Sequence, residues 1–162
     1  MQNKFTYRFA NENDAEKIMF FIKALAVYEK MEHLVVATEA DIKKWVFEEK
    51  LAEVIFAVED GVEVGFAFYF LSFSTFQGRA GIHLEDLFVL PEHRGKGYGK
   101  ALLKTLAKIC TERGYKRLEW TCLDWNTPSI EFYEAFGAKK LSEWLIFRLE
   151  GDALINAAGI DK

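Results

Sequence analysis

The chain has 162 residues, of which 51% are hydrophobic and 15% aromatic, and it carries a net charge of −4. This length and composition predict one domain over residues 1–162 with a substantial apolar core, and they argue against disorder. The small negative charge gives no general attraction to nucleic acid or to an anionic membrane, so neither is an expected partner. Residues 1–8 lack a cationic segment followed by an apolar run, and no stretch approaches a membrane span. We therefore expect a cytoplasmic protein.

Hydrophobic periodicity in the first half of the chain predicts three strands and two helices. The strands are expected at residues 5–9, 54–59 and 62–73, and the helices at about 14–30 and directly after Thr38. Asp60-Gly61, between the second and third strands, is typical of a tight hairpin. These two strands are therefore expected to pair antiparallel.

The second half alternates strands with helices. Strands are expected at residues 82–89, 117–123 and 141–149, and helices at 97–113, from Pro128 to about 137, and from Asp152. The complete order predicts an α/β fold, in which a mixed central sheet is flanked by helices.

A glycine-rich segment, residues 94–100, separates a predicted strand from a predicted helix, and we call it the glycine loop. Alternate glycines remove Cβ atoms, so that successive backbone N–H groups can close around an anion. The helix that follows adds unpaired amides and the positive end of its dipole. The pattern therefore favours a phosphate-binding turn over an ordinary strand-to-helix connection. The loop consists of Arg94, Gly95, Lys96, Gly97, Tyr98, Gly99 and Lys100.

The spacing of the glycines excludes two common phosphate-binding motifs. A nucleoside-triphosphate loop that ends at Gly99-Lys100 would need a glycine where Arg94 stands and a Ser or Thr where Ala101 stands. A dinucleotide-binding fingerprint would need a glycine at position 100 or 102, which hold Lys and Leu. The Arg-x-x-Gly-x-Gly spacing that remains resembles the pyrophosphate loop of GCN5-related N-acetyltransferases. That family uses acetyl-coenzyme A (acetyl-CoA) as its co-substrate.

Two acidic residues, Glu85 and Asp86, lie in the strand that leads into the loop. Neighbouring side chains on a strand point to opposite faces, so only one of them is expected to face a given cleft unless a bulge intervenes. Acids at a strand end are also commonly solvated, and spacing alone leaves their assignment open. The backbone amide of Val89, nearer the loop, could donate a hydrogen bond to a thioester oxygen.

A second informative segment follows the predicted strand over residues 117–123. Tyr133 lies in its predicted helix and could protonate a departing thiolate, although a tyrosine there could equally pack against its aromatic neighbours. Asn126 before Pro128 is also a common helix-start pattern. Both functional interpretations therefore retain a structural alternative.

Three segments resemble the diamine (spermidine/spermine) and thialysine branch of the acetyltransferase family: residues 25–29 (LAVYE), 84–89 (LEDLFV) and 125–133 (WNTPSIEFY). The resemblance implies that Glu85 is the base, acting through water, and that Tyr133 is the general acid. It implies a homodimer that acetylates a small amine. The residues it implies for the cofactor, besides the glycine loop, are Leu87, Phe88, Val89, Asn126, Thr127, Pro128 and Ser129. Those it implies for an acidic substrate mouth are Tyr28, Glu29, Glu85, Asp86 and Asp124.

No metal site is expected, because the three histidines have no ligand spacing. Cys110 and Cys122 are expected to be buried thiols outside the chemistry, so that transfer to the amine would be direct. Two other functions remain open. One is a non-catalytic acyl-CoA binding or sensing module, and the other is an acetyltransferase for protein lysines or N-termini.

Overall fold

A computed structural model describes residues 5–159 of the protein. The chain forms two compact units, one ending at Thr121 and the other beginning at Cys122. The sheet and its principal helices belong to the first unit. The single domain expected over residues 1–162 stays a prediction.

The helices and strands follow the predicted order until residue 140. The strands are β1 (Thr6–Phe9), β2 (Glu53–Glu59), β3 (Val62–Ser74), β4 (Arg79–Val89) and β5 (Leu118–Trp120). The helices are α1 (Ala15–Glu29), α2 (Glu39–Ile42), α3 (Tyr98–Glu112), α4 (Thr127–Phe136) and α5 (Gly151–Ala157). A wider π-helical turn, Lys43–Glu48, continues α2.

Local side-chain and backbone chemistry explains several of these boundaries. α2 begins directly after Thr38, as the sequence predicts, and Thr38 caps it in a reciprocal hydrogen-bond pair with Asp41. Asp60 and Gly61 have φ angles of 50° and 82°, which the tight turn between β2 and β3 requires. The expected hairpin is therefore confirmed.

The five strands form one mixed sheet in the order β1-β2-β3-β4-β5. Neighbours from β1 to β4 pair antiparallel, whereas β5 runs parallel to β4. The β4–β5 pairing covers only residues 82–84 of β4. The remainder of β4, from Glu85 to Val89, therefore has β3 on one side and an edge that β5 leaves uncovered on the other.

The core lies on both faces of the sheet. On one face, Phe21 of α1 stacks on Phe66 with ring centroids 5.2 Å apart and contacts Phe56 of β2. Ile55, the neighbour of Phe56 in β2, is also completely buried. Side chains alternate along a strand, so both faces of β2 are covered. α3 buries an apolar face of its own: Leu102, Leu103, Leu106 and Ile109.

Two sequence predictions are wrong in the C-terminal part of the chain. Residues 141–149 form no strand, and Trp144 and Phe147 are 75% and 89% exposed. An alternating apolar pattern yields a strand only where a neighbouring backbone pairs with it, and none of the five described strands pairs with this segment. Cys122 is exposed because it follows the end of β5, whereas Cys110 is buried as expected. Within residues 5–159, no helix is both long and apolar enough to cross a membrane.

Candidate active site

The centre of the candidate site is a β-bulge in β4. Phe68 of β3 pairs with Asp86, but the next residue, Tyr69, pairs with Leu84, so Glu85 is the extra residue. Paired residues share a face of the sheet, and Phe68 packs against the core cluster under α1. Asp86 therefore lies on the α1 face, and Leu84 lies on the opposite face with Tyr69. Which of Glu85 and Asp86 faces a given cleft depends on whether a bulge is present, and the structure contains one at this position.

The bulge gathers three acidic residues, Glu29, Glu85 and Asp86, which we call the acidic cluster. Asp86 is half-buried, Glu85 is exposed, and Glu29 is the last residue of α1. Burial, together with the negative charges of Glu85 and Glu29, raises the pKa of Asp86 to about 7. Burial also raises the pKa of Glu29. The cluster consequently favours a cation or a bound proton.

The backbone of Val89 faces the uncovered edge of β4. Leu90 N–H donates to the Val64 carbonyl at 2.9 Å, which makes those residues a hydrogen-bonded pair. Because such pairs alternate along antiparallel strands, Val89 lies opposite Gly65 in a non-hydrogen-bonded pair. Its N–H and C=O therefore point away from β3, where a thioester oxygen could accept from the N–H.

The glycine loop has the backbone that its sequence requires. Gly95 and Gly97 have φ angles of 76° and 86°, a region that disfavours residues with a Cβ. α3 begins at Tyr98 directly afterwards, with Gly97 as its N-cap. Gly99 lies inside the helix, where an added Cβ would be 4.0 Å from Val89 Cγ2. The first two glycines thus serve conformation, and the third has room for a methyl group.

Two cations of the loop contact the protein itself. The Arg94 guanidinium lies 4.8 Å from the ring centroid of Tyr28 and 5.1 Å from that of Phe88, while its Nε donates to the Val89 carbonyl at 3.0 Å. The Lys96 ammonium pairs with Glu59 at 2.9 Å. The sequence predicts that both cations bind the cofactor. It does not predict a role for Glu59, because no neighbouring residue indicates a contact with the loop.

The remaining predicted residues belong to the second unit. Asn126 is buried and caps α4, its side-chain oxygen accepting from Ser129 N–H at 3.4 Å. Tyr133 lies on α4 beside Phe132, with ring centroids 5.2 Å apart. Both structural alternatives that the sequence allows are thus present. Asp124 is exposed ahead of the helix.

Comparison with known proteins identifies the family. The sequence model described as the acetyltransferase (GNAT) family matches residues 18–138. The chain belongs to the GNAT acetyltransferase family. Its bovine relative, a thialysine N-epsilon-acetyltransferase, is 36% identical over 94% of this chain and 96% of its own length. The L-ornithine N5-acetyltransferase NATA1 of Arabidopsis thaliana is 30% identical over 91% of this chain and 85% of its own length.

A solved structure supports the fold. An integron cassette protein from the mobile metagenome of V. cholerae superposes with a TM-score of 0.80, at 30% identity and 98% coverage of both chains. The predicted family resemblance and the α/β GNAT fold are confirmed, and the protein is an N-acetyltransferase enzyme. Within residues 5–159, no three His, Cys, Asp or Glu side chains are arranged so that they could hold a metal ion.

Proposed function

We propose that this GNAT enzyme transfers the acetyl group of acetyl-CoA directly to a primary amine of a small dicationic acceptor. The acceptor class comprises diamines, polyamines and thialysine-like amino acids. The observation that carries the proposal is the acidic cluster at the β4 bulge, next to the uncovered edge of β4. A dication placed there would replace the mutual repulsion of three carboxylates with attraction.

The donor side of the proposal rests on the glycine loop and β4. Gly95 and Gly97 leave the loop without Cβ atoms where φ is positive, and the loop opens onto the N-terminus of α3, so its amides suit a diphosphate. When bound, acetyl-CoA supplies an activated acetyl thioester. The backbone of Leu87, Phe88 and Val89 would hold its pantetheine arm along the uncovered edge. The family resemblance also assigns Asn126, Thr127, Pro128 and Ser129 to the cofactor.

The acceptor side rests on charge. A primary amine with a pKa near 10.4 is only about 0.04% neutral at pH 7, and deprotonating it costs about 4.6 kcal/mol. The acidic cluster, with Tyr28, would hold one ammonium group while the other end of the acceptor reacts, and the family resemblance assigns Asp124 to the acceptor as well. The related thialysine and ornithine acetyltransferases are consistent with an acceptor of this kind.

Three groups would handle the proton and charge movements. Glu85, through a water molecule, would take the proton of the reacting amine, and the Val89 N–H would donate to the thioester oxygen as negative charge develops there. Tyr133 would protonate the thiolate as the carbon–sulfur bond breaks. The pKa of about 7 makes Asp86 a second candidate for the base. Turnover that falls in Glu85→Gln but persists in Asp86→Asn would favour Glu85, and the reverse pattern would favour Asp86.

The decisive experiment measures CoA release across a panel of amines. The panel contains diamines, polyamines, thialysine, ornithine, lysine, amino sugars and a lysine peptide, with propylamine as the monoamine control for 1,3-diaminopropane. We expect the diamine to be preferred at least about 10-fold in kcat/KM, which corresponds to about 1.4 kcal/mol. Equal rates for the two amines would refute the dicationic acceptor. Turnover of the peptide alone would favour a protein acetyltransferase, and CoA binding without any turnover would favour a sensor.

Matched variants locate the preference in the acidic cluster. Glu29→Gln should raise the KM for the diamine while leaving that for propylamine unchanged, because the second ammonium loses a partner. Glu112→Gln, which removes an exposed carboxylate from α3, serves as the control. Loss of the preference in the control as well would indicate general electrostatic steering rather than a site.

The family resemblance also supports a homodimer that acts in the cytoplasm. Light scattering coupled to size-exclusion chromatography tests the assembly. A mass near twice 18.7 kDa is expected, and a mass equal to that of one chain would refute the dimer.

A further inference from the structure

The carboxylate of Glu59 gathers three side chains from the segment around the glycine loop. Glu59 is the last residue of β2 and is only 7% exposed. Its oxygens accept from the Tyr98 hydroxyl at 2.7 Å and from the Lys96 ammonium at 2.9 and 3.1 Å. His93 Nδ1 also contacts it. One buried acid therefore contacts a segment that begins 34 residues further along the chain.

The positions of the three partners matter because they alternate with glycines. His93 precedes Gly95, Lys96 lies between the two positive-φ glycines, and Tyr98 follows Gly97. Glycine has more backbone freedom than any other residue, so an untethered segment of this composition would sample many conformations. Contacts on both sides of each glycine restrict that freedom where the phosphate-binding amides must converge.

We propose that Glu59 is a positioning residue that holds the glycine loop in its diphosphate-binding conformation without touching the donor. The inference rests on the proposed use of acetyl-CoA. Its support is geometric, since Glu59 ends its strand at the tight Asp60-Gly61 turn, which fixes where the carboxylate lies. The same three partners hold the pKa of Glu59 down at about 2, so the carboxylate is charged throughout the neutral range.

Glu59 also changes the interpretation of Lys96. A lysine in a phosphate loop is normally assigned to the phosphate, but here its ammonium pairs with a carboxylate of the protein. Its contribution to donor binding would therefore be indirect, through the shape of the loop. If the loop adopts its diphosphate-binding conformation for only a fraction of the time, the apparent affinity for the donor falls by that fraction. A loss of pre-organisation is therefore measurable as a raised Kd.

The test compares binding of CoA with binding of pantetheine, which lacks the diphosphate. We expect Glu59→Ala to raise the Kd of CoA about 10-fold and Glu59→Gln to raise it less, because Gln keeps an acceptor for Tyr98. The Kd of pantetheine, titrated by NMR, should change less than about 2-fold. In the free protein, amides of residues 93–100 should exchange with deuterium faster in both variants.

Glu53→Gln is the matched control. Glu53 begins the same strand and accepts from Arg113 at 2.7 and 2.8 Å and from Tyr69 at 2.9 Å, away from the loop. This variant should leave CoA binding and loop exchange unchanged, even if it lowers stability. Should Glu59→Ala fail to fold, Glu59→Gln carries the same comparison.

An unchanged Kd of CoA in both Glu59 variants would overturn the inference, as would an equal loss of CoA and pantetheine binding. These outcomes are independent of the acceptor. A wild-type protein that binds CoA but acetylates no amine would contradict the proposed function and leave the role of Glu59 intact. A wild-type protein that binds no CoA would overturn both.

Discussion

The half-buried carboxyl of Asp86 should make the stability of the protein fall as the pH rises through neutrality. Its pKa is about 7 in the folded protein, against 3.8 for an ordinary aspartate. Between these values the folded state binds one more proton than the unfolded state, so this contribution is fully present below pH 3.8 and is lost as the pH rises through 7. Replacing Asp86 by Asn removes the titration.

The magnitude follows from the two pKa values. A pKa difference of about 3 corresponds to about 4 kcal/mol of unfolding free energy in total, of which about 2–3 kcal/mol is lost between pH 5 and pH 8. The unfolding free energy of the Asp86→Asn variant should therefore rise by about 2–3 kcal/mol relative to that of wild type over that interval. With a urea m-value of about 2 kcal/mol/M, the difference between the two unfolding midpoints should change by about 1 M.

The assay is urea unfolding of both proteins at pH 5, 6, 7 and 8. Comparing the two proteins at each pH cancels the titration of all other groups that the substitution leaves unaltered. Glu112→Gln, an exposed substitution on α3, serves as the control variant. A midpoint difference between wild type and Asp86→Asn that stays constant from pH 5 to pH 8 would refute the burial argument, because it would show that Asp86 is already ionised at pH 5.

Three further experiments use substitutions at single positions. Gly97 has a φ angle of 86°, so Gly97→Ala should lower the free energy of unfolding by about 1–2 kcal/mol and weaken CoA binding. Gly99→Ala should be tolerated, because its Cβ has room. Equal losses of stability for the two variants in calorimetry would contradict these backbone roles. Gly65→Ala should lower stability by about 1–3 kcal/mol, since its Cβ would lie 2.8 Å from the Phe88 carbonyl oxygen; an unchanged melting temperature would show that β3 and β4 separate easily. Tyr133→Phe should lower kcat and leave the Kd of CoA nearly unchanged, with Tyr115→Phe as control, and an unaltered rate would remove Tyr133 from the mechanism.

Features with a local cause could be predicted from the sequence. The Asp60-Gly61 turn, the start of α2 after Thr38 and the glycine-rich turn before α3 each depend on a few neighbouring residues. The spacing of the glycines in the loop is equally local, and it distinguishes the acetyltransferase loop from two other phosphate-binding motifs. These signals are sufficient for the order of elements up to α4 and for the family.

Features that depend on pairing between distant segments could not be predicted. The bulge at Glu85 exists only in the register between β3 and β4, so the sequence left the faces of Glu85 and Asp86 open. Glu59 and Lys96 are in contact but lie 37 residues apart in the chain, and no sequence pattern near Glu59 predicts this contact. The predicted strand over residues 141–149 failed for the same reason, because a pattern of side chains cannot supply the backbone partner that a strand needs.

Arg94 constrains how kinetic data on the site should be interpreted. Its guanidinium packs on Tyr28, next to Glu29 of the acidic cluster, and its Nε bonds to the carbonyl of Val89. The first residue of the glycine loop is therefore attached to both the proposed acceptor side and the edge of β4. A loop substitution that displaces Arg94 would change the acceptor KM without removing any amine contact. Contributions of the acidic cluster must consequently be measured with Glu29 and Asp86 variants in which Arg94 and the loop are intact.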